Sequence, residues 1–322
     1  YNTFETGRSG IGQCFRPSNS YNGGATYTYL IINHGPLTEF VFGFAHYFRE
    51  KYNHYNDYRW LQFNDASGNV QAVIRINSAD YVEIWNSTST VLLATSSLPI
   101  GYNLWSYFEV KIKCSSTVGY IEIKLNGDLL LNWSGFNTDP QNTGYINSIY
   151  LFSPQRGTSV DDLYLLDTTG SAPLNDYLGP VYVTRILPTV NGTKTQFTLR
   201  SGATSSYAEL DDSTTADNDS TYVESSTDTH ETLLKFPTQS GTTLFAVQVR
   251  NRSRTTTPGN ARIGNIIKTY DEVSSQVEYG SLLPMITWAD GLSIFPTAPD
   301  GTAWDYTKLN NTQFGIKLKK GL

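Results

Sequence analysis

WSYFEVKIK at residues 105–113 and GYIEIKLNG at residues 119–127 decide the fold. In the first stretch Phe108, Val110 and Ile112 alternate with Glu109, Lys111 and Lys113. In the second, Ile121, Ile123 and Leu125 alternate with Tyr120, Glu122 and Lys124. A period of two sends successive side chains to opposite faces, so each stretch predicts a strand with one apolar and one polar face. A turn at 115–119 joins them. Asn126-Gly127, a pair that accepts the positive φ angles of a tight hairpin, turns the chain back into 129–133. Together the three runs predict an antiparallel meander buried on one side.

The same period extends in both directions. Phe40, Phe42, Phe44, His46 and Phe48 share one face of 39–49, and further strands are predicted at 58–64, 70–77, 81–85, 91–94, 148–152 and 162–166. Short strands separated by Gly, Asn and Ser turns predict a sandwich. Residues 168–180, TTGSAPLNDYLGP, have linker composition, with Leu174, Tyr177 and Leu178 available to pin the segment to a surface. Beyond it, strands are predicted at 181–187, 196–198, 232–236, 244–250, 262–270, 285–287 and 314–318, with one helical turn at 304–309. The expected architecture is all-β with two domains: a jelly-roll sandwich over 1–167, a linker over 168–180 and a second β-sandwich over 181–322.

Composition narrows the functions. The 322 residues include 22 Tyr, 15 Phe and 6 Trp, and 16% are charged, which excludes a disordered chain. No run of 18 apolar residues is present, so no membrane insertion is expected. The opening residues show no secretory-signal pattern. Net charge is -6, and carboxylates outnumber cations on both sides of the linker, so no nucleic-acid partner is expected. Two cysteines make no disulfide framework. Cys114 ends an apolar face, and buried free thiols are favoured over a single Cys14–Cys114 staple.

The hairpin, together with SVDDLYLLD at 159–167, resembles the concanavalin-A-like, laminin-G-like jelly roll across residues 1–167. The stretches 160–173, 178–188, 218–225 and 303–317 are similar to tailed-bacteriophage virion proteins in which such a domain precedes a second β-domain. That resemblance implies a structural protein on the surface of a phage particle. It implies a place in the tail first (tip, collar or fibre module) and a head-surface decoration second. Expected partners are other virion proteins, further copies of the chain as a homo-oligomer, and a host-surface glycan. A free-standing carbohydrate-binding module is the alternative.

Little points to catalysis. A glycosidase needs two carboxylates flanking the scissile bond, and no alternating acidic run offers them. Glu83, Glu109 and Glu122 stand singly and read as wet strand faces. The histidines His34, His46, His54 and His230 show no metal-ligand spacing, and His46 reads as a core or rim residue. The chain is therefore expected not to be an enzyme. Calcium is the one cofactor suggested, through Asp211, Asp212, Asp217 and Asp219 in an acidic loop, although the spacing is not that of an EF-hand and an exposed turn is the plainer reading. Two groups are candidates for a subunit interface or glycan contact. Tyr52, Tyr55, Tyr58 and Trp60 cluster in KYNHYNDYRW, and Arg250, Arg252 and Arg254 share a strand face that serves equally well as a charged edge.

Overall fold

A computed structural model describes residues 3–8, 13–16, 28–49, 58–153, 158–212, 216–256 and 260–321. The chain divides into two compact units, Tyr1–Thr184 and Arg185–Leu322.

The first unit contains β1 (Thr3–Thr6), β2 (Gln13–Arg16), β3 (Thr28–Leu37), β4 (Glu39–Phe48), β5 (Tyr58–Asn64), β6 (Val70–Ile76), β7 (Tyr81–Trp85), β8 (Leu92–Pro99), β9 (Trp105–Lys113), β10 (Gly119–Leu125), β11 (Asp128–Phe136), β12 (Ile146–Ser153) and β13 (Thr158–Asp167). They form a seven-stranded sheet, β1-β2-β13-β4-β9-β10-β11, and a six-stranded sheet, β3-β12-β5-β6-β7-β8. The described pairings are antiparallel, and sequence neighbours repeatedly change sheet, as in a jelly roll. The alternation of β4, β9 and β10 delivers Phe40, Phe42, Phe44, Phe108, Val110, Ile112, Ile121 and Ile123 to one core with Trp60, Leu61, Phe63, Ile74, Ile84 and Ile149 of the other sheet. Each such side chain contributes about 1.5–3 kcal/mol by leaving water. Asn126 and Gly127 adopt φ 52° and 94°, as the hairpin requires, and Asn126 Oδ1 accepts from the Tyr107 amide at 2.8 Å. Cys14 and Cys114 are buried free thiols, and burial pushes the Cys114 thiol up to about 12.

In the second unit are β14 (Val190–Thr195), β15 (Thr198–Leu199), α1 (Ser206–Glu209), β16 (Val223–Glu224), β17 (Glu231–Lys235), β18 (Val247–Ser253), β19 (Ala261–Thr269), β20 (Ser275–Tyr279), β21 (Ala289–Phe295), α2 (Tyr306–Asn310) and β22 (Thr312–Lys320). A five-stranded sheet runs β14-β17-β22-β19-β20. The β18–β21 ribbon covers one of its faces: Phe295 packs with Ile267 and Phe314, and Asn265 Nδ2 donates to Val249 O and Ser293 Oγ. Asp305 caps α2 by accepting from the Lys308 amide at 2.7 Å, which accounts for the expected helical turn.

Two expected strands are absent. In 181–187, Val181 and Val183 spend backbone groups on side chains: the Val183 amide donates to Asp162 Oδ1 at 2.8 Å, and Val181 O accepts from Arg8 Nη1 at 3.0 Å. Within 285–287 a single bridge joins Thr255 to Met285, and Ile286 takes a φ of 68°, which breaks an extended run.

Candidate functional site

The segment expected to be a linker is fastened across the outer face of the seven-stranded sheet. Glu109, 1% exposed, accepts from the Tyr164 hydroxyl and from the Gly179 amide at 2.9 Å. Tyr164 Oη in turn accepts from the Leu178 amide at 3.2 Å. Further along, Arg8 lies against the rings of Tyr107 and Tyr182 and bonds Asp162 at 3.3 Å. Glu109 is thus covered by this strap. Glu83, on the other sheet, is 6% exposed and accepts from Asn77 and Trp85, so neither residue sits on a wet strand face. Glu122 stays half-exposed on β10.

Between the strap and β9–β11 the sheet leaves an open groove of about 520 Å³, lined by Lys111, Tyr120, Glu122, Lys124, Asn132, Trp133, Ser134, Asp176 and Tyr177. Strand register places Lys111, Glu122 and Asn132 side by side as its floor. The wall comes from the strap. Asp176 pairs with Lys111 at 3.2 Å, and Lys124 Nζ stands 3.7 Å from the centre of the Tyr177 ring. Burial disfavours the Asp176 carboxylate, but the Tyr177 amide and Lys111 outweigh it and hold the carboxyl below its usual range. Burial, with Glu122 nearby, raises the Tyr177 phenol, so it stays protonated. Trp133, 39% exposed, pairs with Ile121 and so faces the opposite side of β11 from Asn132 and Ser134. The groove therefore offers aromatic surface, an amide, hydroxyls and charges already answered within the chain. Such a set suits a polar, uncharged ligand with hydrophobic ring faces.

A second polar surface lies on the outer face of the six-stranded sheet, where Ile31, Tyr150, Gln62, Val73 and Trp85 follow one another in register from β3 to β7. Its centre is closed: Val73 is 0% and Gln62 8% exposed, and Arg75 lies over the Trp85 ring.

The residues singled out in the sequence fare differently. Tyr52 and Tyr55 lie outside the described residues. Tyr58 and Trp60 are core residues, 6% and 0% exposed, so they meet neither a subunit nor a glycan. Tyr58 pairs with core-facing Ile76 and Trp60 shares its face two residues on, before a register shift brings Leu61 inward as well. The Trp60 indole donates to His46 Nδ1 at 3.2 Å in the same core. Arg250, Arg252 and Arg254 do share a face of the ribbon, but acids of the same chain answer them: Asp290 lies 3.0 Å from Arg250 and 3.6 Å from Arg252, and Asp219 pairs with Arg254. That pairing and the bond from the Thr221 hydroxyl to Asp217 turn two members of the acidic loop away from a shared ion. Asp211 and Asp212 are exposed. Among the described residues no three His, Cys, Asp or Glu side chains are grouped to hold a metal.

The sequence reading missed Asp176 and Asn132, and it took Tyr177 only as an anchor. An acid–aromatic pair inside an otherwise small-residue segment was the available signal for the strap. Asn132, which interrupts the apolar run of β11, was the signal for the floor.

No family model matches the chain, and no curated protein sequence matches it. Among solved structures, a carbohydrate-binding module, CBM66 from Bacillus subtilis, aligns at 12% identity and TM-score 0.33 over 51% of this chain and 91% of its own. An alginate lyase, Aly36B, aligns at 14% and 0.32 over 44% and 74%, and a heptameric SAP-like pentraxin from Limulus polyphemus at 11% and 0.32 over 47% and 73%. Similarities this slight carry no information about ligand or activity.

Proposed function

We propose that the chain is a non-enzymatic binding module that holds an uncharged glycan in the groove between the strap and β9–β11. The observation that carries this reading is the groove itself: the Tyr120 and Tyr177 rings flank Asn132 and Ser134, while Lys111 neutralises Asp176. Sugar rings present apolar faces for stacking and hydroxyls for amide and carboxylate partners. Catalysis is left out of the reading because the sequence offers no alternating acidic run and Lys111 engages Asp176 at 3.2 Å.

The working place proposed for this module is the surface of a tailed-phage particle, at the tail before the head, among other virion proteins and copies of itself. Support for that setting comes from the resemblance of 160–173, 178–188, 218–225 and 303–317 to virion proteins. In such a setting the glycan belongs to the host surface.

A glycan array probed with the full chain tests the proposal. Binding to at least one neutral glycan is expected, with about a tenfold or greater loss in Tyr177→Ala and Tyr120→Ala. No binding, or release of reducing ends from a bound polysaccharide, contradicts it.

A further inference from the structure

The five-stranded sheet of the second unit has one face under the ribbon and one turned away from it. On the latter, Gly264 of β19 lies in register between Lys317 of β22 and Tyr279 of β20. A Cβ on Gly264 would stand 2.7 Å from Val277 Cγ1 and 2.8 Å from Tyr279 Cδ1, so the missing side chain is what lets the Tyr279 ring lie across the strand. Cations surround that ring. Lys319 Nζ is 5.2 Å from its centre, and Arg262 is paired directly opposite Lys319. Lys317 is answered by Glu231 at 2.8 Å, and the same carboxylate holds Lys268 at 2.9 Å. The other acid beside this group, Asp228, accepts from the Lys320 amide. Arg262 and Lys319 have no ion-pair partner among the described residues, and the buried Arg262 Nε has no hydrogen-bond partner.

Edge protection does not account for these cations. Lysines commonly protect sheet edges, but β22 and β19 are interior strands of this sheet. Unanswered cations beside one another also repel, and here they sit in a chain of net charge -6.

We propose that this face binds an acidic polysaccharide, with Arg262 and Lys319 taking its carboxylates and the Tyr279 ring lying under a sugar ring. Arg presents a planar fork that fits a carboxylate, and Lys a compact point charge. A nucleic acid fits less well. Firm binding to a duplex uses about 6–10 phosphate contacts, more than two cations supply, and the negative chain repels so dense a polyanion at long range.

Polygalacturonate and its methyl ester, which share a backbone and differ in charge, are the probes, with a single-stranded oligonucleotide as the third arm. The full chain is expected to bind polygalacturonate, to lose that binding on raising salt from low to physiological strength, and to ignore the ester. Arg262→Gln with Lys319→Gln is expected to weaken binding by about tenfold or more at an unchanged melting temperature. Should that pair fail to fold, Lys319→Gln alone, an exchange on a half-exposed side chain, reads the same loss. Tyr177→Ala, in the other unit, is expected to leave it unchanged. Equal binding of the ester, no effect of the substitutions, tighter binding of the oligonucleotide, or no binding of polygalacturonate overturns the proposal.

Discussion

Gly43 sits mid-strand in β4, a position where a missing side chain ordinarily weakens a sheet. Here it makes room: a Cβ would fall inside the ring of Tyr164, whose hydroxyl bonds Glu109 and the strap. Gly43→Ala is therefore expected to cost about 1–3 kcal/mol in denaturant unfolding, as overpacking does. An unchanged midpoint would show that Tyr164 is not held there. His46 makes a different prediction. It is fully buried, accepts from the Trp60 indole at Nδ1, and burial pushes its pKa down to about 3. The unfolded chain takes up a proton at this residue near pH 6.5 and the folded chain does not, so stability contributed above pH 6.5 is lost as pH falls from there toward 3. Between pH 6 and 5 the loss from this group approaches about 1.4 kcal/mol per pH unit. His46→Gln is expected to flatten that limb when unfolding free energy is measured against pH, and a limb of unchanged slope would assign the effect elsewhere.

At the scale of elements, the strap is held by single, non-repeating contacts, and this explains which parts of the molecule were readable beforehand. Strand β7 and the β9–β10 hairpin repeat a pattern every two residues, so their positions and inward faces are legible in the sequence. The contacts of Asp176 to Lys111, Gly179 N–H to Glu109 and Val183 N–H to Asp162 have no period, and a segment rich in Gly and Pro reads as a linker whether or not it is fastened down. Trp60 was misplaced because rings interleaved with amides suggested a surface cluster, whereas Trp60 shares the inward face of Tyr58, which pairs with Ile76. Removing the strap's central acceptor, as in Glu109→Ala, is expected to speed hydrogen exchange of the Leu178 and Gly179 amides while β10 stays protected, and equal protection in the variant would deny Glu109 that role. The ribbon arginines predict the opposite behaviour. Arg250 is 65% exposed beside Asp290, so Arg250→Ala is expected to change stability by less than about 0.5 kcal/mol, and a larger loss would mean the pair is shielded from solvent.

Across the whole molecule the apolar side chains are unevenly shared. One continuous core occupies the first unit, whereas the second has two small clusters, around Phe314 and around Phe197. Because apolar burial drives folding, calorimetry is expected to show two transitions, with the second unit melting first. Phe314→Ala, which removes a ring packed between Trp304 and Phe236, is expected to lower that first transition by about 3–5 kcal/mol and leave the other in place. A single transition would mean the units unfold together. Whole-molecule charge had a part in the sequence reading too: the net -6 excluded a nucleic-acid partner, yet a total hides the local cationic face around Tyr279, which becomes visible once strand register is known. The central claim, that a glycan sits between strap and sheet without being altered, is tested most directly by amide chemical-shift mapping. The full chain would be titrated with a glycan whose array signal Tyr177→Ala abolishes. Shifts are predicted at Lys111, Tyr120, Glu122, Asn132, Trp133 and Tyr177, with the glycan recovered intact. Shifts confined to Gln62, Arg75, Trp85 and Tyr150, or recovery of cleaved sugar, would contradict it.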